Sequence, residues 1–433
     1  MSRDLFDQLR NYREHFEAGL PAMIVADATT PRSGRASRFK GLTGRRHPVS
    51  VAVTAAATVL LLGGGGVVAA SLFGGGPSPD PSPVCGEASA STMPGSLAPF
   101  ESEWREVRAE IVPASRGHHR MVYDAESDVV IMVGGLPVPL ALDETLEQGQ
   151  YEDTWAYDTD TATWIQMTPD QHPDLYGSER TFGDLAYDTG SDLIVAFLAE
   201  TWTYDYNRDT WTKMAPATQP NPATANQDMS YAMAYDAESD RVILFGGTET
   251  WAYDVDTDTW TKMNPETSPA PRRYHDMAYD QQSDRIILFG GDSKASHEHS
   301  DTWAYDFNTD TWEPMHPAVS PPPLAFPRME YDPRSDRIVL FGGGSYTKGC
   351  PGPYEFWAES DQVWVYDYQT DTWGRLLPDG GPLPRKAHDI AFDIKSGELV
   401  VFGGDQLGPP NSACNCSRTV GYQNETWTLT LLP

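Results

Sequence analysis

The residues best equipped for chemistry are cations that recur just ahead of a repeated aromatic–Asp doublet. Arg116, His118 and His119 precede Tyr123-Asp124, and Arg180 precedes Tyr187-Asp188. Arg272, Arg273 and His275 precede Tyr279-Asp280, Arg328 precedes Tyr331-Asp332, and Arg385 and His388 precede Phe392-Asp393. Such cations on an otherwise acidic protein favour an anionic or polyhydroxylated ligand, held by charge-assisted hydrogen bonds. The same side chains could instead bond carbonyls and aspartates of a repeated framework, since repeat positions are often architectural. Both readings stay open, and these residues are the candidate ligand-binding set. No catalytic residue stands out: the chain has no nucleophile elbow, phosphate loop or zinc motif.

The elements that must position them repeat. The doublet also occurs at Tyr235-Asp236, making six copies. Five copies are followed by a glycine pair: Gly134-Gly135, Gly246-Gly247, Gly290-Gly291, Gly342-Gly343 and Gly403-Gly404. The second copy has Phe197-Leu198 there. Tryptophans then come nine residues apart, at Trp155/Trp164, Trp202/Trp211, Trp251/Trp260, Trp303/Trp312 and Trp364/Trp373. Each unit holds four strand-like runs joined by turn-forming tetrads. Runs such as RIILF are apolar on both faces, so their sheet must be covered on both sides, which stacking sheets around an axis achieves. The sixth unit stops soon after Trp427, without a fourth strand. Glu103 to Val107 carries the missing pattern, so the first strand is expected to complete the last sheet and remove the open edges.

Strand alternation divides the loops between two faces. One face carries short acidic turns, Asp124 to Asp128, Asp254 to Asp258 and Asp306 to Asp310. Asx-type turn chemistry explains them. Calcium is the sharper alternative, but the glycine and glutamate of a helix–loop–helix calcium loop are missing. The other face collects the long connections 136–153, 292–301, 344–362 and 405–425, and the cations above would ring its central mouth. Loops of that length are usually functional or disordered.

The paired glycines and spaced tyrosine and tryptophan resemble the kelch repeat family over roughly 101–433. The resemblance implies an all-β, six-bladed β-propeller closed by an N-terminal strand. Its 333 residues give about 55 per blade, near the kelch period of about 50. Galactose oxidase is similar in fold class, and its copper site would need two His, two Tyr and a Cys joined to one Tyr. His297, His299 and Cys350 do not supply that set. No cofactor is expected, with calcium and copper the two metals considered. The favoured function is a binding or interaction module for a glycan or protein ligand on the long-loop face. A carbohydrate-active enzyme of kelch type, an oxidase or epimerase, is the alternative, because one fold carries many activities.

The rest of the chain sets the context. Residues 51–73 form an uncharged stretch long enough to cross a bilayer as a helix. Arg32, Arg35, Arg38, Lys40, Arg45 and Arg46 lie upstream, which keeps that side cytoplasmic. A cleaved signal peptide is the rival, but the stretch ahead of 51 is about twice the length of a whole signal. The organisation expected is therefore a cytoplasmic tail with a short amphipathic helix (1–50), a transmembrane helix (51–73), a Gly/Pro/Ser linker (74–100) and the propeller (101–433) outside the cell membrane. The propeller region has 22 Lys and Arg against 55 Asp and Glu. That balance repels phosphate backbones and excludes nucleic acid, while attracting cations and basic partners. Four cysteines, Cys85, Cys350, Cys414 and Cys416, lie on the outer side, where disulfides are permitted. Their pairing is not fixed by sequence.

Overall fold

A computed structural model describes residues 101–137, 149–174, 183–221, 230–293, 297–347, 356–407 and 419–432. All fall in the compact unit Gly86–Pro433. The tail, the 51–73 segment, the linker, Arg180 and the four cysteines lie outside the described residues. Among the described residues no helix is long and apolar enough to cross a membrane.

The described chain is all-β, with one short 3-10 turn at Tyr206–Arg208. Six antiparallel sheets carry the architecture. The first runs Arg120–Asp124, Val129–Val133, Thr154–Asp158, Thr163–Gln166. The second runs Asp184–Asp188, Leu193–Phe197, Thr201–Asp205, Thr210–Lys213. The third runs Tyr231–Asp236, Arg241–Gly246, Glu249–Asp254, Thr259–Lys262. The fourth runs Arg273–Asp280, Arg285–Ser293, Thr302–Asp306, Thr311–Pro314, with His297–Glu298 added beside its second strand. The fifth runs Arg328–Asp332, Arg337–Phe341, Val363–Asp367, Thr372–Leu376. The sixth runs Asp389–Asp393, Glu398–Phe402, Thr426–Leu432 and then Glu101–Val107. That last strand pairs Glu101 with Leu432 through Val107 with Thr426, so the chain start completes the last sheet. The first strand of each sheet packs on those of its two neighbours, and that of the sixth meets that of the first. This is the arrangement of a β-propeller.

Burial follows from the apolar second strands. Val130, Ile131, Val195, Ile243, Leu244, Ile287, Leu288, Val339, Leu340, Val400 and Val401 are fully buried between neighbouring sheets. Two polar devices tie sheet to sheet. The fourth-strand tryptophan donates its indole N–H to a buried threonine of the preceding sheet: Trp211 to Thr154 at 3.0 Å, Trp260 to Thr201 at 2.8 Å, Trp312 to Thr250 at 2.9 Å and Trp373 to Thr302 at 2.9 Å. Trp164 does the same to Thr426 at 3.0 Å, joining the first sheet to the sixth. The sixth sheet's Trp104 meets a valine position, Val363, and keeps the ring contact that the other tryptophans also make, 5.0 Å from Phe341 as Trp164 is 5.1 Å from Phe402.

The second device uses the aromatic–Asp doublet. The aspartate caps the next turn, as when Asp124 accepts from the N–H groups of Glu126 and Ser127. The tyrosine hydroxyl donates to an aspartate at the turn's end, Tyr123 to Asp128 at 2.8 Å and Tyr187 to Asp192 at 2.9 Å. Asp128 adopts φ 61, where an acidic side chain is tolerated better than most. In the sixth sheet Phe392 has no hydroxyl to give, and Gly397 takes the left-handed position at φ 73. The same hydroxyls reach the preceding sheet: Tyr187 accepts from Glu126 N–H, Tyr235 from Gly190 N–H and Tyr279 from Glu238 N–H.

Candidate functional site

The lead-in to each first strand carries the predicted cations, and the structure turns most of them inward. Arg116, Arg272 and Arg385 are buried and form one repeated unit with a histidine three residues on. Arg116 pairs both ends of its guanidinium with Asp153, at 2.6 and 2.9 Å, and donates to the Gly134 carbonyl. Arg272 does the same with Asp301, at 2.8 Å twice, and with the Gly290 carbonyl. Arg385 uses Glu425 and the Gly403 carbonyl. Each thereby pins its lead-in segment to its own glycine pair. Of the two readings held open for these three, ligand-facing or framework, their side-chain donors take the framework one.

His119, His275 and His388 are also buried; no ring nitrogen makes a well-formed hydrogen bond, although the Phe245 and Phe341 backbones stand close enough to His275 and His388 to favour their protonated forms slightly. Each ring sits edge-on against a phenylalanine of the preceding sheet: His119 on Phe402 at 5.5 Å, His275 on Phe245 at 5.4 Å and His388 on Phe341 at 5.0 Å. Burial, reinforced by nearby arginines, holds all three neutral, with His275 pushed down to about 3. They are packing groups between sheets rather than acids or bases facing a pocket. Arg273 is part-exposed and pairs with Asp292 at 2.6 Å.

The residue before each of these histidines comes forward to the axis. His118, Tyr274 and Ala387 all take positive φ, as does Phe326 of the fifth sheet. Tyr274 stacks on Phe326 at 3.9 Å, and Phe326 meets His118 edge-on at 5.5 Å. Backbone bonds tie the same residues, Phe326 N–H to Tyr274 C=O at 2.8 Å and His118 N–H to Ala387 C=O at 2.7 Å. This aromatic cluster lies across the channel at the long-loop end.

Below it the first strands expose a layer of charge. The residue three before each doublet reads, around the ring, Arg120, Asp184, Ala232, Asp276, Arg328 and Asp389. Arg120 Nε lies 3.0 Å from Asp184 Oδ1. Arg328 bridges two sheets, at 3.0 Å to Asp389 and 3.3 Å to Asp276. The aspartates also accept backbone N–H groups of the next sheet: Asp389 from Met121 at 2.7 Å, Asp184 from Met233 at 2.8 Å and Asp276 from Met329 at 2.7 Å. Burial pushes Asp276 up to about 7 despite Arg328, with Asp184 and Asp389 adding to the rise; burial raises Asp389 as well.

Two residues further on, the layer reads Val122, Ala186, Ala234, Ala278, Glu330 and Ala391. Glu330 is its one polar side chain. Burial pushes its carboxyl well above the usual range, with Asp276, Asp389 and Asp184 adding to the effect. Val122 and Glu330 keep partial exposure, so solvent reaches this layer. The last layer is the buried aspartates of the six doublets, at the turn end. Among the described residues no group of His, Cys, Asp and Glu is placed to hold a metal ion. The predicted set thus includes one member of this axial site, Arg328; Arg120, Asp184, Asp276, Glu330 and Asp389 are additions. Their signal is the spacing from the doublet, read down six repeats.

Repeated four-stranded antiparallel sheets, glycine pairs against neighbouring lead-ins and Trp–Thr and Tyr–Asp ties are those of a β-propeller. Residues 237–432 match the family described as the KLHDC2/KLHL20/DRC7 Kelch-repeats domain, which supports placing this chain among kelch-repeat proteins. No curated protein matches it.

Proposed function

We propose that the chain is an exported, membrane-anchored protein-interaction module, a six-bladed propeller whose acidic turn face receives a basic protein partner. One observation carries this reading. The turns of that face are locked by Tyr–Asp and Asx hydrogen bonds, yet Glu126, Asp160, Glu238 and Asp256 stand exposed on them. Lys395, Arg208 and Arg334 also stand on this face, with Lys395 paired to Asp160, so it is acidic in balance rather than uniformly. A rigid, predominantly acidic surface loses little entropy on binding and speeds encounter with an opposite charge. The long-loop face is the less supported alternative, because the arginines that could serve it are committed within their own sheets. Export follows from 51–73 and its basic flank, as the sequence is read above.

Two tests separate these points. The full chain should bind a lysine-rich peptide with an affinity that falls steeply with salt. The variant E126K/E238K/D256K should weaken that binding at least tenfold while melting normally; undiminished binding would place the interface elsewhere. Protease added to intact cells should remove the propeller and spare the N-terminal tail. Digestion of the tail with the propeller spared would reverse the orientation.

A further inference from the structure

The axial channel has an unbalanced charge pattern. In the upper layer, Arg and Asp alternate around the ring except in the third sheet, where Ala232 stands in the place of an arginine. The neighbours of that place are Asp184 of the second sheet and Asp276 of the fourth. One layer down, Glu330 occupies a position that is alanine in four sheets and valine in one. Among the described residues no side-chain donor or cation is hydrogen-bonded to Glu330; the Tyr331 backbone N–H favours its charge. Asp184, Asp276, Asp389 and Glu330 thus face only Arg120 and Arg328. With limited solvent and three neighbouring aspartates, the charged form of Glu330 is disfavoured. The Asp residues have an architectural role, since each clips its sheet to the next. Glu330 clips nothing, and an alanine there would remove the cost.

We propose that this lumen binds a primary alkylammonium, presented as a lysine side chain of the partner that docks on the turn face. The inference rests on the interaction reading above and names what the partner contributes. The route is fixed by the two ends of the channel. Tyr274, Phe326 and His118 lie across the long-loop end. At the turn end the doublet aspartates are buried as turn caps, and the exposed Glu126, Glu238 and Asp256 beyond them supply the field that draws in cations. At the level between, the small Ala186, Ala234, Ala278 and Ala391 pack into the cores between sheets, and Val122 and Glu330 are the side chains that solvent reaches. From the Asp332 level to Glu330 is two strand residues, about 7 Å, which is about the reach of a lysine side chain. Its ammonium would donate to Glu330 and lie beneath the Ala232 gap, between Asp184 and Asp276. A guanidinium is broader and flat, and suits this bore less well.

The same chemistry could come from a free diamine, and the experiment separates the two. Full-length protein is titrated calorimetrically with putrescine, with a lysine-bearing peptide and with the same peptide acetylated on the lysine. The lysine peptide should bind one to one and its acetylated form at least tenfold more weakly. E330Q and A232R should each lose at least tenfold for both amines. E330Q should also raise the melting temperature at pH 8, because a carboxyl whose folded pKa is raised loses stability as pH rises through that value, and glutamine does not. The gain should shrink as the pH falls toward the ordinary carboxylate range, because Glu330, facing Asp184, Asp276, Asp389, Arg120 and Arg328, holds its proton more tightly in the fold than in the unfolded chain. Equal amine binding by wild type and E330Q would overturn the site. A lower melting temperature for E330Q at pH 8 would overturn it too, by showing that Glu330 is paired within the fold. Putrescine binding without lysine-peptide binding would keep the site but overturn the partner lysine. Loss of peptide binding in E126K/E238K/D256K with putrescine binding intact would locate the docking face independently of the lumen. If A232R does not fold, E330Q decides alone.

Discussion

Deleting Glu101–Val107 from the full chain should abolish cooperative folding of the propeller. This strand makes a seven-residue antiparallel ladder with Thr426–Leu432. Its removal uncovers Leu429 and Leu431, both buried, and takes out Trp104 and Val107, which are buried themselves. Loss of a buried tryptophan alone costs about 3–5 kcal/mol. Losing the valine and the ladder as well consumes most of the 5–15 kcal/mol that a typical domain has. Trp104 also seals the sixth sheet against Phe341 of the fifth, so the damage crosses to a neighbour. Far-ultraviolet circular dichroism on heating measures this. A sigmoidal transition at the wild-type temperature would show that the ring does not depend on its first strand.

Trp104 alone, replaced by alanine, should give an intermediate result, folded but less stable by about 3–5 kcal/mol. The contrast separates the ring contact from the strand pairing.

Much of this was legible in the chain because the propeller is periodic. The aromatic–Asp doublets, glycine pairs and tryptophan pairs mark strand positions that the structure repeats sheet by sheet, and Glu103 to Val107 announces the closing strand by its similarity to Thr259 to Met263. The roles of those residues were less legible. Nothing in a single unit says that Trp211 reaches Thr154, because the partner lies 57 residues away in another repeat. The acidic turns read correctly as local hydrogen bonding, since Asp124 and its turn amides are neighbours in sequence. Arg116 and Arg272 were harder. A cation on a lead-in segment looks solvent-facing until Asp153 and Asp301, at the start of the third strand, are seen to meet it. The axial charge layer was missed because each repeat contributes one residue to it. Glu330 is conspicuous only beside Val122, Ala186, Ala234, Ala278 and Ala391, a comparison down the repeats rather than along the chain.

The three buried histidines make the fold sensitive to acid. The ring nitrogens of His119, His275 and His388 make no well-formed hydrogen bond, and the Phe245 and Phe341 backbones only slightly favour protonation of the last two. Arginines stand near each: Arg116, Arg120 and Arg328 near His119, Arg272 and Arg328 near His275, Arg385 and Arg328 near His388. Other imidazoles add to this, with His388 near His119 and His299 near His275. Burial first, and these cations second, keep the rings neutral in the fold. The unfolded chain protonates them near pH 6.5, so below that pH each histidine favours unfolding until its folded value is reached. At pH 5 this amounts to about 2 kcal/mol per histidine, or about 6 for three. Replacing all three by phenylalanine should remove the penalty. An aromatic ring without ring nitrogens fits there, since Tyr231 fills the equivalent place in the third sheet, 5.3 Å from Phe197. Urea unfolding at pH 7.5 and pH 5 reads the difference between variant and wild type. The raised carboxyls of Asp276, Asp389 and Glu330 titrate in both proteins and cancel from that difference. The variant should gain on wild type by about 6 kcal/mol between the two pH values; an unchanged difference would mean that the imidazoles accept protons within the fold.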